Sequence, residues 1–518
     1  MADDGEPIGH GFDPLPGDEA AAFRRLQERF ATGYSAVFEN DAVARTVIVL
    51  PSLTLDTEVL AKISGVIHYE QRLLCHLLLL RLPQARIVYL TSEPIPPAIV
   101  DYYLSLMPGV PRDHAAQRLT LLSCHDASPR ALVDKVLERP RLIERIRASI
   151  ADPETAHLTC FNVSCAERRL ALRLGVPIYG CDPDLLALGS KSGSRRIFRD
   201  AGLSIADGVE DLADAEQMAE ALVALKARDP GLRRAVVKLN EGFSGEGNAI
   251  FDYPEGEDAA ALRPCVRGLL AGMDFVAPGL GWEAFEAKFA EMGGVVEAFV
   301  EGEGKTSPSA QYRVDPRGRL ATVSTHDQVT GGVSGQVFEG CRFPADEAYR
   351  LEIQDAGWRA AEALRDQGVI GRFGIDFISV PEPAAPGGWR HYAVEINLRK
   401  GGTTHPFLML EHLTDGHYDA AKAIYRAPSG KPLFYYASDT LQAPHYRGLT
   451  PADLMDIAVE NRLHFHTTNL EGVVFHLIGT LSQYGKLGML CVADTPARAE
   501  RLYHETVAVL DREGRREA

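Results

Sequence analysis

Two short stretches, "GIDF" at 374–377 and "EINLR" at 395–399, concentrate residues able to do chemistry. Side chains alternate across a strand, so Glu395 and Asn397 share a face with His391 and Ala393, while Tyr392, Val394 and Ile396 take the other. A hairpin between the stretches brings Asp376 to Glu395 and Asn397. Three oxygen-bearing side chains suit magnesium, which takes oxygen ligands and shares them with substrate phosphates. The set does not suit zinc or copper. The plainer alternative is the solvated polar face of a sheet, but Asp and Asn are poor strand formers. Arg399, Lys400, Gly401 and Gly402 follow at once. They offer two cations to an anion and a backbone that a substrate can approach closely.

A second group has what a nucleotide site needs. "EGFSGEGN" (241–248) directly follows a strand ending near Lys238. Gly242, Gly245 and Gly247, with Ser244 between them, free the backbone to aim N–H groups at phosphate oxygens. Lys238 neutralises phosphates, and Lys191 in "GSKSGS" is a second candidate cation. Each of these alone also fits a plain hairpin turn or a surface lysine. "EGEGKTS" (301–307) imitates a P-loop, but its first glycine would fall at Phe299, so that assignment fails. His326, Asp327 and Gln328 are candidates to line a pocket, although a His-Asp pair is often only hydrogen-bonded structure. His464 and His466 alternate with no third metal ligand nearby and read as structural.

The elements that must position these groups follow from periodicity. After a loose acidic start and a helix near "DEAAAFRRLQERF", residues 1–44 read as an extension. Over 45–183, "TVIVLPSL", "ARIVYLTSEP", "LTLLSCHD", "LTCFNVSC" and a last short strand "GVPIYGCDP" alternate with helices, which predicts a Rossmann-like parallel layer. No GxGxxG follows its first strand, so no dinucleotide is assigned. Residues 184–300 predict helices, one around 214–228, and a strand–glycine loop–strand hairpin. Residues 301–430 predict further strands, a helix over 348–367 ended by Gly368, and the hairpin carrying Asp376 and Glu395. Residues 431–518 read as a separate small α+β module, with a capping box at Thr450 and a last helix opened by Pro496.

The 518 residues allow about three domains. The longest apolar run, "LLCHLLLLRL", is broken by His76 and Arg81 and is too short to span a bilayer. The acidic N-terminus resembles neither a signal nor a transit peptide, so a cytoplasmic location is expected. Eight scattered cysteines without a CxxC pair predict reduced, mostly buried thiols. A net charge of −17 argues against a nucleic-acid partner. Oligomeric state stays open, a homodimer included.

Lys191, Lys238, the glycine loop, "VVEAFVEG", "GIDF" and "EINLR" stand in an order and spacing that resemble the ATP-grasp superfamily over 185–410. "EGKTSPSAQ", "STHDQVTGGVSGQVFEGCRFPA" and "EINLRKGGTTHP" resemble the pheganomycin-type peptide ligases and related carboxylate–amine ligases. The resemblance implies a pre-ATP-grasp domain over 45–183, an ATP-grasp fold of two α+β subdomains over 184–430 and a C-terminal domain. It implies that Lys191 and Lys238 contact ATP phosphates, and that Glu297, Ala298, Phe299 and Val300 hold adenine largely through backbone groups. It places Glu301 or Glu303 on the ribose, two magnesium ions on Asp376, Glu395 and Asn397, and Arg399 at the transferred phosphoryl group. Lys400 would face the same anion and His326 would orient substrate. Gly374 departs from the pattern, since several relatives carry a basic residue there; Arg372 takes that role or the function is absent. The implied reaction joins a small carboxylate to an amine through an acyl phosphate, with release of ADP. The alternatives are a kinase or acid–thiol ligase on the same scaffold, or a non-catalytic nucleotide-binding regulator.

Overall fold

In the computed structural model the described residues are 18–54, 60–61, 63–242, 247–277, 279–331 and 337–517. Among them the strands fall into three sheets. The first contains β1 (Arg45–Leu50), β2 (Ala85–Thr91), β3 (Leu119–Ser123) and β4 (Ala156–Cys160), parallel throughout in the order β3-β2-β1-β4. β1 is buried from Thr46 to Leu50, as a parallel strand covered on both faces must be. The connection from β1 to β2 includes a helix, Val66–Arg81, wound with 3-10 hydrogen bonding and buried from Glu70 to Leu78.

Two expectations fail in this layer. "GVPIYGCDP" adds no strand, only a single bridge from Ile178 to Leu158. Pro177 has no N–H to extend a ladder, and the Ile178 amide is claimed from outside. Gln27, on the helix Glu19–Phe38, accepts from Ile178 N at 2.9 Å and donates to Ile178 O at 2.9 Å. Phe30 of that helix stacks on His157, ring centres 5.5 Å apart. The helix is therefore docked on the parallel layer rather than standing apart as an extension.

The second sheet is antiparallel. It holds β5 (Gly208–Leu212), β6 (Arg234–Leu239), β7 (Asn248–Asp252), β8 (Asp274–Phe275) and β9 (Gly294–Ala298) in the order β5-β9-β6-β7-β8. β6 and β7 form the expected hairpin, with Lys238 opposite Asn248. The helix Ala215–Arg228 covers this sheet, sharing a buried core of Met218, Leu222, Val237 and Phe251.

The third sheet has ten strands: β10 (Pro308–Val314), β11 (Leu320–Gly331), β12 (Val337–Phe343), β13 (Gly371–Pro381), β14 (Trp389–Asn397), β15 (His417–Asp419), β16 (Ile424–Arg426), β17 (Pro432–Gln442), β18 (Gly472–His476) and β19 (Lys486–Ala493). β13 and β14 lie at one end, beside β10; β12 pairs with β17, which also pairs with β19, and β18 extends from there. The tail is thus not separate: its strands continue the sheet that carries Asp376. One buried cluster joins Ile48 and Leu74 of the first layer to Val474 and Leu490 of the tail. No described helix is long and apolar enough to cross a membrane.

This continuity predicts that ending the chain at residue 430 strips β12 of a ladder neighbour, opens the shared core and gives insoluble protein. The check is soluble yield and circular dichroism of the truncated chain. A soluble, folded product would mean that the tail is an independent module.

Candidate active site

The β13–β14 hairpin places the acids. Ile375 pairs with Ile396 and Asp376 with Glu395, and the register then slips, so that Phe377 pairs with Ala393. Val394 is the extra residue of a β-bulge, a device that re-aims side chains. Ala393 and Ile396 turn into the core beneath the sheet. Tyr392, Val394, Glu395 and Asn397 all line one cavity of about 1230 Å³. Simple alternation had put Tyr392 and Val394 on the face opposite Glu395; the bulge corrects that. Asn397 Nδ2 donates to Asp376 Oδ2 at 2.9 Å, closing the trio.

Cations converge on these acids from other elements. The helix Lys191–Asp200 starts with Ser190 accepting from Gly193 N at 3.0 Å. Ser194 of that helix accepts from Ile396 N at 3.1 Å, which fixes the helix against β14. Asn240, just after β6, accepts from Lys191 N through its carbonyl and from Ser192 N through Oδ1. So held, Lys191 Nζ lies 2.5 Å from Glu395 Oε1. Arg399 lies beyond the end of β14, close enough for its charge to act on both carboxylates. Burial pushes Asp376 up to about 7, and the neighbouring Glu395 charge adds to the shift against the pull of Lys191 and Arg399. Burial also works to raise Glu395, but Lys191, Arg399 and Lys238 outweigh it and hold it below the ordinary carboxylate range. The donor set, two carboxylates and an amide oxygen on one cavity wall, is all hard oxygen. An incompletely neutralised acid pair is what a divalent cation relieves, so the residues fit magnesium.

A second buried cluster stands on the other wall. Glu297 of β9 receives Arg195 Nη1 at 2.6 Å on one oxygen and Lys238 Nζ on the other. Burial works against its charge, yet Lys238 and Arg195 keep its pKa below the usual value. The expected adenine strand follows. Ala298 N is already bonded to Asp207 O at 2.7 Å and Phe299 N to Arg234 O at 3.0 Å, so neither amide is spare for a base. The Phe299 ring sits between the Arg234 guanidinium at 4.0 Å and the Lys305 ammonium at 4.3 Å. Ala298, Phe299, Val300 and Lys305 line the cavity. Glu301 and Glu303 do not: Glu301 is turned onto Arg234 at 3.0 and 2.7 Å, and Glu303 is exposed. Gly242 and Gly247 bring the ends of the glycine loop together, a Cβ on Gly242 standing 3.5 Å from Gly247. Ser244 and Gly245 lie outside the described residues.

Three expected roles are overturned. Lys400 points away from the cavity into the first layer, where Nζ donates to Thr159 Oγ1 at 2.9 Å and to Cys160 O at 2.5 Å. Burial lowers its pKa to about 8. It fastens the loop after β14 to β4 instead of facing an anion. His326 is fully buried, 2.7 Å from Tyr435 Oη, and burial drives its pKa to about 3. It faces the tail, not substrate. Arg372 does not take the place of a base at Gly374: it lies 3.4 Å from Glu411, and the space over Gly374 is filled by Gln311, which lines the cavity.

Asp327 does reach the cavity, anchored by Tyr349 Oη at 2.7 Å, and Gln328 lies beside it. Sequence reasoning missed Arg72, Asp439 and Lys486, all of which line the same cavity. Arg72 carried a usable signal, since a charge inside a buried apolar helix needs a partner.

Comparison with known proteins points the same way. A family profile described as "IQCH-like, ATP-grasp" matches residues 185–257 and 280–421, and one described as "PGM1 C-terminal domain" matches 453–506. L-propargylglycine–L-glutamate ligase of Streptantibioticus cattleyicolor is 34% identical over 448 residues, covering 85% of this chain and 89% of that protein. IQ motif-containing protein H of Danio rerio is 22% identical over 405 residues, covering 70% of this chain and 38% of that protein. The Campylobacter jejuni biotin carboxylase in complex with β,γ-ATP aligns at a TM-score of 0.52 and 12% identity, covering 88% of this chain and 89% of that one. At that identity the likeness concerns the fold alone.

Glu297→Ala should leave the buried Lys238 without its ion-pair partner and Arg195 with Glu210 alone. Breaking such a cluster costs about 3–5 kcal/mol. Chemical denaturation followed by intrinsic fluorescence should show a lower midpoint, and an unchanged midpoint would mean that water already screens these charges.

Proposed function

This chain belongs to the ATP-grasp family of carboxylate–amine ligases, and on that premise we propose that it joins two small molecules of the amino-acid class through an acyl phosphate made at the β13–β14 wall. The observation that carries this reading is the half-buried trio Asp376, Glu395 and Asn397, facing one cavity with Lys191, Lys238 and Arg399 gathered around it. The similarity to a ligase acting on two amino acids supports the substrate class.

In this account the nucleotide lies between the second and third sheets, its base against Phe299 and Val300. Lys238, oriented by Glu297, meets phosphate oxygens. Lys191 exchanges its Glu395 partner for phosphate when ATP enters. Asp376, Glu395 and Asn397 would hold magnesium, which when bound neutralises phosphate oxygens and polarises phosphorus. Gly242 and Gly247, at the two ends of the glycine loop, offer backbone to the phosphates beside Lys238.

The substrate carboxylate attacks the γ-phosphorus, the bond to the β-phosphate oxygen breaks, and ADP leaves. The amine then attacks the acyl carbon, loses a proton, and expels phosphate as the amide forms. The reaction needs no covalent nucleophile from the chain, which positions the reactants and stabilises developing charge. Arg399 suits the transferred phosphoryl group because its planar fork grips two oxygens at once. Lys400 and His326 have no part in the chemistry, and the ribose contact of Glu301 or Glu303 would need the segment after β9 to move.

The test is ADP release with pairs of L-amino acids, read together with mass spectrometry of products. An amide product appearing one-for-one with ADP is expected; a phosphorylated product that persists with every amine would mark a kinase instead. Two variants sharpen the roles. Glu395→Ala should abolish turnover while circular dichroism stays normal, and near wild-type ADP release would remove Glu395 from the site. Arg399→Lys keeps the charge but loses the fork, so it should lower kcat by roughly a hundredfold, about 3 kcal/mol, and change ATP affinity far less. An equal loss in both would make Arg399 a ground-state binding residue.

A further inference from the structure

The cavity runs on past Arg399 to a place where the first layer meets the tail. Tyr69 and Arg72 come from the helix Val66–Arg81, Asp439 from β17 and Lys486 from β19, and all four line the cavity. Arg72 is 8% exposed and Asp439 4%. Arg72 Nη2 lies 2.5 Å from Asp439 Oδ2, and its buried Nε has no hydrogen-bond partner among the described residues. The Arg72 guanidinium stacks over the Tyr69 ring at 4.2 Å. Lys486 approaches the same tyrosine, Nζ 2.7 Å from Oη and 5.0 Å from the ring centre. Its partner there is a neutral hydroxyl rather than an acid.

The buried Arg72 and the half-buried Lys486 therefore share one aromatic ring while, among the described residues, one carboxylate, Asp439, answers them. Arg399, whose charge opposes that of Arg72, is answered by Glu395 and Asp376 and so leaves this group's balance unchanged. Burying like charges together without enough acid is unfavourable unless a ligand anion completes the set. The opposite charges are ordered as well: Asp439 is pinned by Arg72, and Lys486 stands apart on Tyr69. A zwitterion carries the matching pair, a carboxylate for the cations and an ammonium for the acid.

We propose that Arg72, Lys486 and Asp439 form a subsite for an α-amino acid, the cations taking an α-carboxylate that the reaction does not consume and Asp439 taking the ammonium. The proposal rests on the ligase reading above and assigns part of its substrate recognition to the junction of the first layer and the tail. Tyr69 is the wall that holds both cations in place. Its residues come from the helix Val66–Arg81, β17 and β19 and not from the hairpin that carries the metal carboxylates, so the amino acid occupies the cavity together with ATP instead of competing with it.

The experiment measures ADP release by the full chain with the twenty standard L-amino acids in pairs, then with the α-carboxamide of each active one. The wild-type protein should prefer the free acid over its carboxamide by at least about tenfold in kcat/KM, the effect of one charge-assisted contact. Lys486→Met keeps the side-chain stem and removes the charge. It should raise KM for the amino acid by about tenfold, leave KM for ATP unchanged and abolish the preference for the free acid, while Lys486→Arg restores that preference. An unchanged KM for ATP and a normal circular dichroism spectrum exclude misfolding as the cause. If Lys486→Met weakens acid and carboxamide alike, or neither, the subsite is overturned and the ligase reading stands. If the wild-type protein accepts the carboxamides as readily as the acids, the subsite is likewise overturned. Absence of ADP release with every pair would bring down the ligase reading, and the subsite with it.

Discussion

Two carboxylates buried side by side cannot both stay ionised unless positive charge is brought to them. Asp376 and Glu395 are paired across the β13–β14 ladder in a site where burial, with the Glu395 charge beside it, pushes Asp376 up to about 7. Isolated, this arrangement would take up a proton and lose its affinity for a metal. The rest of the site answers that problem. Lys191 arrives from a helix start, Arg399 from beyond β14, and Lys238 from the second sheet. Each is oriented by something rigid: Ser190 and Ser194 for the Lys191 helix, and Glu297 with Arg195 for Lys238.

The need to collect charges from separate places explains the layered construction. One sheet cannot supply both the acids and all their cations, because its own side chains run in parallel rows. Here three sheets converge, and the contacts between them lie close to the chemistry. Lys400 fastens the loop after β14 to β4, and Ser194 fastens a helix to β14. The tail belongs to this construction: its strands lengthen the ten-stranded sheet, and Tyr435 closes over His326. Buried ion pairs contribute little net stability. The apolar cluster shared by the first layer and the tail has to compensate, which ties folding of the tail to folding of the site.

Much of this was legible in the sequence where periodicity and residue type agreed. The alternating apolar residues of "GIDF" and "HYAVEINL" identified two strands, and an acid–x–Asn–x–Arg spacing at a strand end marked the site. Failures arose where a side chain's direction depends on distant parts of the chain. The bulge at Val394 has no local signature, so alternation put Tyr392 on the wrong face. Lys400 follows Arg399 directly, yet past the strand end adjacent residues diverge, and its destination is set by the Thr159 hydroxyl and the Cys160 carbonyl some 240 residues earlier. His326 looked chemical because nothing local reveals Tyr435, 109 residues later. The tail looked separate because its pairing with β12 is long-range. Arg72 was missed although its place in an apolar helix was itself a clue.

In the proposed reaction the carboxylate substrate attacks phosphorus at the Asp376–Glu395 wall. A substrate acid labelled with oxygen-18 in its carboxylate tests this directly, with the released phosphate and nucleotide examined by mass spectrometry. One labelled oxygen is expected in inorganic phosphate for each amide formed, and none in the nucleotide. Label in AMP, with pyrophosphate as the other product, would show attack at the α-phosphorus and contradict it.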